Sequence, residues 1–262
     1  MSIEIHGVQA VEKLRRAGEA AAATLARIGE RLRPGISTKQ IDLWVREHTR
    51  EQGGRPSQLG YHGFPASVCT SRNEVVCHGV PNERDVLVDG DIVNVDVTTE
   101  LDGYHGDTSA TFLIGEVSRE RAELVEVARR CRDAGISVVR EGARLGDIGA
   151  AIVELAKAHG YSVVQEYCGH GIGRSMHAAP QVSHVGVRGS GPRLRAGMAI
   201  TIEPMINLGT RHVRLLPDEW TVVTEDGKPS AQFEHTLVVT RAGAEIMTKL
   251  PARQSDSRSP LP

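Results

Sequence analysis

No stretch of this 262-residue sequence approaches eighteen consecutive apolar residues, which excludes a transmembrane helix. The opening MSIEIHGVQAVEKLRRAGEA lacks a basic segment followed by an apolar one, so no secretory signal is visible. Cys69, Cys77, Cys131 and Cys168 are scattered and form no CxxC pair. They read as reduced thiols rather than a disulfide framework, and the cytoplasm is the expected compartment. Charge of one sign is also lacking. Thirty-one Lys and Arg face 33 Asp and Glu, for a formal net charge of −2, which advertises neither a nucleic-acid nor an anionic-membrane partner. Aromatics make up only 3% of residues, so Tyr61 and Phe64, on either side of His62, stand out as a local concentration.

What is present suits one α/β domain with a sizeable core. Val11, Leu14, Ala21, Leu25, Ile28 and Leu32 fall on one helical face, and Pro34-Gly35 ends it. Ser37-Thr38-Lys39-Gln40 reads as a capping box opening a second helix that closes near Gly53-Gly54. Residues 66–77 and 92–114 read as strands with a turn at Asp102-Gly103, followed by helices over about 119–140 and 147–159. Strands and loops dominate from residue 161, and the polar tail from Pro251, PARQSDSRSPLP, is expected to be disordered.

An internal echo runs through this order. Arg33-x-Gly35 and Ile41 match Arg140-x-Gly142 and Ile148 at an offset of 107. The same offset carries Gly53 onto Gly160, Leu87-x-x-Gly90 onto Leu194-x-x-Gly197, and Asp96 onto Glu203. Matched glycines alone could be chance; matched carboxylates favour duplication. Each half would be two helices followed by strands, with a site where the two sheets meet.

The chemistry starts at Asp96. In Ile92-Val93-Asn94-Val95-Asp96-Val97 the valines share one strand face, and Asn94 and Asp96 the other. Taken alone, Asp96 is an acid on the solvent face of a half-exposed strand. However, Asp107 follows eleven residues later, where a hairpin could bring it to face Asp96, and like charges so placed repel unless a cation lies between them. Glu203 ends an apolar run, Met198-Ala199-Ile200-Thr201-Ile202, and Glu234 begins another, His235-Thr236-Leu237-Val238-Val239. Burying a carboxylate is costly unless it is paired or metal-bound. Four separate mispatterned acids are therefore less economical than one shared site. His170 adds a nitrogen within Gly169-His170-Gly171-Ile172-Gly173, a spacing unlike the dinucleotide fingerprint G-x-G-x-x-G. Four carboxylates and a neutral imidazole carry −4, which two divalent cations neutralise. An oxygen-rich set with one nitrogen and no thiolate suits Mn²⁺, Fe²⁺, Co²⁺ or Zn²⁺.

Asp96, Asp107, His170, Glu203 and Glu234, in this order and spacing, resemble the five metal ligands of methionine aminopeptidases and their pita-bread relatives. YHGFPASVC, NEVVCHG, DGYHGDTSATF, GHGIGR, IEPM, EWTVVTEDG and QFEHT resemble type I signatures across residues 8 to 248. The resemblance implies a pseudo-twofold α/β pita-bread fold, with curved antiparallel sheets flanked by helices and a dimetal site at its centre. It implies one catalytic domain over residues 1–250, with halves of about 8–115 and 116–248. Asp107 and Glu234 would bridge two divalent ions, Asp96 would bind one, and His170 with Glu203 the other. The metals would make a water nucleophilic near neutral pH, with Glu203 as its general base and acid. His78 and His177 match the family's two non-ligand histidines beside the scissile amide and its developing oxyanion. Tyr61, His62, Phe64, Cys69 and Trp220 match the pocket for the methionine side chain. Asn73, Val75 and Ser230 match backbone positions that hold a monovalent cation. The partners implied are the N-termini of nascent polypeptides, met at the ribosome by a monomer that binds neither nucleic acid nor membrane.

The sequence departs from the family pattern at Gln58, where cysteine is expected, at Met176, where phenylalanine is expected, and at Ala178-Ala179, where acids are expected. Met176 should keep an apolar pocket, and Gln58 should put an amide at its wall. His6, His48, His159, His184, His212 and His235 read as structural or exposed. Prolidases and proline-specific aminopeptidases share the five ligands but usually carry a further N-terminal domain. Type II methionine aminopeptidases carry a helical insertion between the ligands at His170 and Glu203, which here stand only 33 positions apart. Binding modules of this fold have lost ligands, and all five stand here.

Overall fold

The computed structural model describes residues 3–249; the tail from residue 251, expected to be disordered, lies outside the described residues. The first half opens with α1 (Val8–Gly29) and α2 (Thr38–Glu51), and the Ser37 hydroxyl accepts the Gln40 N–H at the start of α2. Strands β1 (Arg55–Pro56), β2 (Cys69–Arg72), β3 (Val75–Cys77), β4 (Ile92–Leu101) and β5 (Tyr104–Leu113) follow. The second half repeats the plan with α3 (Arg119–Ser137) and α4 (Leu145–Ala158). Helix α4 begins two residues before its expected start because Asp147 accepts the Arg144 N–H. Next come β6 (Ser162–Val163), β7 (Gly169–Gly171), β8 (Ala178–Val182), β9 (Ala199–Ile202) and β10 (Met205–Asn207). The chain finishes with β11 (Val213–Leu215), β12 (Val222–Thr224), β13 (Ser230–Gln232), β14 (His235–Val239) and β15 (Ala244–Ile246).

Two antiparallel sheets carry the architecture. One has β4 at its centre, paired with β5 on one side and with β1 and β2 on the other; the second runs β15-β14-β9-β7-β8. Strand β4 is continuous, whereas its counterpart is split into β9 and β10 at Glu203-Pro204, where proline has no N–H for the ladder. Val93, Val95 and Val97 pack with Ala21, Leu25, Ile28, Ile41 and Val45 of α1 and α2. Ile200, Ile202 and Leu237 pack with Leu124, Ala128, Ile148 and Ile152 of α3 and α4. Each of the valines, leucines and isoleucines contributes about 1.5–3 kcal/mol by leaving water, so the helices fix the outer face of each sheet and leave the inner face to polar residues. Helix α1 crosses β5 closely. A Cβ on Gly106 would lie 2.4 Å from the Gly18 nitrogen, so the helix sits directly against the residue preceding Asp107.

The pseudo-twofold relation is visible in backbone hydrogen bonds. Gly35 N–H to Leu87 C=O is repeated as Gly142 N–H to Leu194 C=O, and Thr38 N–H to Asp85 C=O as Leu145 N–H to Pro192 C=O, all at an offset of 107. At the seam Thr236 Oγ1 donates to the Asp107 carbonyl and accepts the Asp107 N–H. Thr111 Oγ1 does the same with Gln232. Glu234 N–H donates to the Ser109 carbonyl between these two pairs. The sheets therefore meet where β5 faces the segment from β13 to β14. No described helix is long and apolar enough to cross a membrane.

Candidate active site

Asp96 and Asp107 lie on the inner face of the β4–β5 hairpin. They are diagonal neighbours rather than directly opposed: Asp96 pairs with Ser109 and Asp107 with Thr98. Thr98 Oγ1 donates to Asp107 Oδ1 at 2.8 Å. Glu234 enters from the seam, and Glu203 from the break after β9. Thr201 Oγ1 donates to Glu203 Oε1 at 2.7 Å, Gln232 Nε2 donates to Glu203 Oε2 at 3.3 Å, and His184 Nε2 accepts the Glu203 backbone N–H. His170 sits between two glycines that admit close backbone neighbours. A Cβ on Gly169 would lie 2.5 Å from the Thr201 carbonyl oxygen, and one on Gly171 would lie 2.1 Å from that of Ala179.

The structure brings all five expected ligands around one centre. His170 Nε2 lies 3.5 Å from Glu203 Oε1 and 3.8 Å from Asp107 Oδ2. Ligand atoms of Asp107, His170 and Glu234 lie within 4.8 Å of one another. His170 Nδ1 is 3.0 Å from the Gly171 carbonyl, a contact in which Nδ1–H donates and Nε2 keeps its lone pair for the carboxylate cluster. Burial, reinforced by His177, pushes the His170 pKa down to about 3, so the ring is neutral and able to ligate.

Electrostatics say what the cluster requires. Burial raises Asp107 to about 7, and burial with the charge of Asp107 raises Glu203 to about 8. Asp96 and Glu234 are pushed well above the carboxylate range, first by burial and then by Asp107 and the other acids. Buried Asp96 Oδ1 and Glu234 Oε1 have no hydrogen-bond partner among the described residues. Orphaned carboxylate oxygens beside a neutral imidazole are donors waiting for a cation, and the set fits divalent metal.

These groups form the floor of a cavity of about 620 Å³. Phe64 and Trp220 meet edge to face at 5.1 Å, and with Tyr61, Cys69 and Met176 they make the apolar end. His78 and His177 line the same space. His78 has a left-handed backbone, φ 56°, and its ring stands edge-on to Tyr167. Tyr61 Oη lies 2.8 Å from His177 Nδ1; with the hydroxyl donating, His177 Nε2 carries the ring proton. Of the named pocket residues only His62 does not line the cavity. It is exposed, at φ 48° in the turn from Gly60 to Gly63, and its ring rests on Tyr61. Gln58 lines the cavity, and its amide also bonds the backbone of β4. Asn73 and Ser230 meet through a backbone hydrogen bond, and Val75 pairs with β12.

Several lining residues were not singled out in the sequence. Thr98 was open to detection, because it is two positions from Asp96 on the same strand face. Cys77, Met205 and Gln232 fall within the signature stretches NEVVCHG, IEPM and QFEHT without a role of their own being legible, and Tyr167 gave no signal.

Fold and site together define a metal-dependent hydrolase with a deep, largely apolar substrate pocket. Residues 12–241 match the description "Metallopeptidase family M24", and the chain belongs to that family. Methionine aminopeptidase A of Synechocystis sp. is 51% identical over 238 residues, covering 91% of this chain and 94% of that protein. The methionine aminopeptidase of Escherichia coli is 46% identical over 249 residues, covering 95% and 94%. The crystal structure of methionine aminopeptidase from Rickettsia prowazekii superimposes with a TM-score of 0.93 at 46% identity, over 95% of this chain and all of that one. The chain is accordingly a metalloaminopeptidase of the pita-bread fold.

Proposed function

We propose that this chain removes methionine from the N-termini of nascent polypeptides whose second residue is small. The observation that carries the reading is the junction of the acid–imidazole cluster with the pocket closed by Phe64, Trp220, Tyr61 and Met176. An unbranched thioether suits that apolar end, while the peptide bond following it falls over the carboxylates. Asp96, Asp107, His170, Glu203 and Glu234 would together hold two divalent ions, with Asp107, which neighbours Asp96 on one side and His170 on the other, central to the set. When bound, the ions polarise the scissile carbonyl and make a nucleophilic water available near neutral pH.

The remaining work belongs to side chains. Glu203, oriented by Thr201 and Gln232, takes the proton of the attacking water and returns it to the leaving amine. His177, with Tyr61 at Nδ1, points its Nε2–H at the carbonyl oxygen as negative charge develops there. His78, which lines the same cavity, binds the scissile amide. Asn73, Val75 and Ser230 offer carbonyls for a monovalent cation. The chain works as a cytoplasmic monomer that meets its substrates at the ribosome.

The test is cleavage of Met-Ala-Ser by protein stripped of metal and reconstituted singly with Mn²⁺, Fe²⁺, Co²⁺ or Zn²⁺. Metal-dependent release of methionine is expected, with Met-Lys and Met-Phe peptides resistant. Release only from peptides with proline second would replace this reading with a prolidase, and no release with any metal would end it.

A further inference from the structure

Strands β1 and β2 lie end to end along the same edge of β4 and do not meet. β2 pairs with Val93 through Asp96, and β1 pairs with Thr99 and Glu100, leaving Val97 and Thr98 between them. After Ser57 donates its N–H to the Thr98 carbonyl, the chain turns away from β4, and the Gln58 carbonyl is used by Tyr61 N–H in the next turn. The backbone therefore cannot fill the gap. The Gln58 side chain does. Its Nε2 donates to the Asp96 carbonyl at 2.8 Å, and its Oε1 accepts the Thr98 N–H at 3.3 Å. Gln58 is only 6% exposed, and only this amide orientation gives each end its complementary partner.

The geometry points to Gln58 as a positioning residue that acts as a one-residue strand, bridging the interrupted ladder and holding the segment carrying Asp96 and Thr98. Its reach extends to Asp107, because the Thr98 hydroxyl is bonded to Asp107 Oδ1. One amide thus constrains both carboxylates of the hairpin, and it rests on the reading of those two acids as metal ligands. Gln58 also lines the pocket, so the residue that holds the strand is part of the cavity wall. A cysteine at this position could not do this, since one sulfur cannot both donate to Asp96 and accept from Thr98 across two residues of strand.

Gln58→Met keeps the length of the stem and removes both hydrogen bonds, and Gln58→Cys restores the residue expected of the family. Amide hydrogen exchange in the full-length, chelator-treated protein reads the clamp without any metal or turnover. Thr98 N–H should exchange at least about tenfold faster in both variants while other β4 amides keep their protection. Mn²⁺ affinity, measured by calorimetry, should weaken about tenfold in both. On Met-Ala-Ser, kcat should fall with KM nearly unchanged, because a residue that served only as wall would move KM and a ligand-positioning residue moves turnover. Unchanged Thr98 exchange in both variants would overturn the proposal, as would a loss confined to KM. If the unaltered protein cleaves no methionyl peptide, the functional reading fails, while the exchange and Mn²⁺ measurements still decide the role of Gln58.

Discussion

Neutralising the central acid should stabilise the metal-free protein at alkaline pH while disabling it. Asp107 is raised by burial from 3.8 to about 7, and burial followed by the charge of Asp107 raises Asp96, Glu203 and Glu234. A carboxyl whose pKa is higher in the folded chain keeps a proton that the unfolded chain has released. Folding then binds protons, and stability falls as pH rises from the unfolded values near ~4 through the folded values near ~7–8. For Asp107 alone the shift corresponds to roughly 4 kcal/mol at most. Asp107→Asn removes that cost and the repulsion on its three neighbours, while an amide oxygen can still accept from Thr98 Oγ1. Half the ceiling, about 2 kcal/mol, would raise Tm by roughly 4–8 °C for a domain of this size.

Thermal melts with excess chelator at pH 5 and pH 8 decide the matter. The unaltered protein should melt lower at pH 8 than at pH 5. Asp107→Asn should lose much less over that interval and should melt above the unaltered protein at pH 8. Saturating Mn²⁺ should reverse the order, because a ligand at about a hundred times its Kd adds roughly 2.7 kcal/mol to whichever protein binds it. A metal-free protein that gains stability from pH 5 to pH 8 would refute the argument, since its acids would then be ionised at little cost.

His177→Ala should keep metal stoichiometry by elemental analysis while kcat falls about 10²–10³-fold, the usual cost of one oxyanion donor. Loss of an ion instead would make His177 a ligand. His184→Leu should strand the Glu203 backbone N–H, which now donates to His184 Nε2 at 3.1 Å, at a cost of about 1–3 kcal/mol by denaturant unfolding together with reduced kcat. Unchanged unfolding would show that the contact is dispensable. Gly106→Ala should push α1 off β5 and lower Tm by several degrees, because its Cβ would meet the Gly18 backbone. A Tm equal to the parent's would mean that the helix can shift freely.

The four helices were legible because periodicity and the stops at Pro34-Gly35 and Gly53-Gly54 are local. The acids were legible because a carboxylate among valines violates the strand pattern. The diagonal relation of Asp96 and Asp107 was also encoded, since a two-residue turn at Asp102-Gly103 sets Leu101 against Tyr104 and hence Asp96 against Ser109. The bonding of Gln58 was not encoded locally. It depends on β1 and β2, fourteen or so residues apart in sequence, abutting on one strand edge and leaving a gap. His184 was expected to be structural or exposed. It is 1% exposed beneath Glu203, a role set by a loop whose course no periodicity announces.

The seam explains why a duplicated framework holds an asymmetric centre. The Thr236–Asp107 and Thr111–Gln232 exchanges are the same pair of hydrogen bonds seen from the two halves, so Asp107 and Gln232 occupy related positions. Asp96 and Glu203 are related by the 107-residue offset. Strict symmetry would place an acid where Gln232 stands, adding another buried charge to a cluster already raised by mutual repulsion. Gln232 instead turns its amide to Glu203, and the imidazole of His170 enters beside Glu203 from β7. The first half therefore supplies Asp96 and Asp107, and the second supplies Glu203 and Glu234 with a neutral ring, His170, and a neutral amide, Gln232. With Glu203 in the proton-moving role proposed above, a neutral Gln232 at the position related to Asp107 would orient that acid without an equivalent acid competing with it.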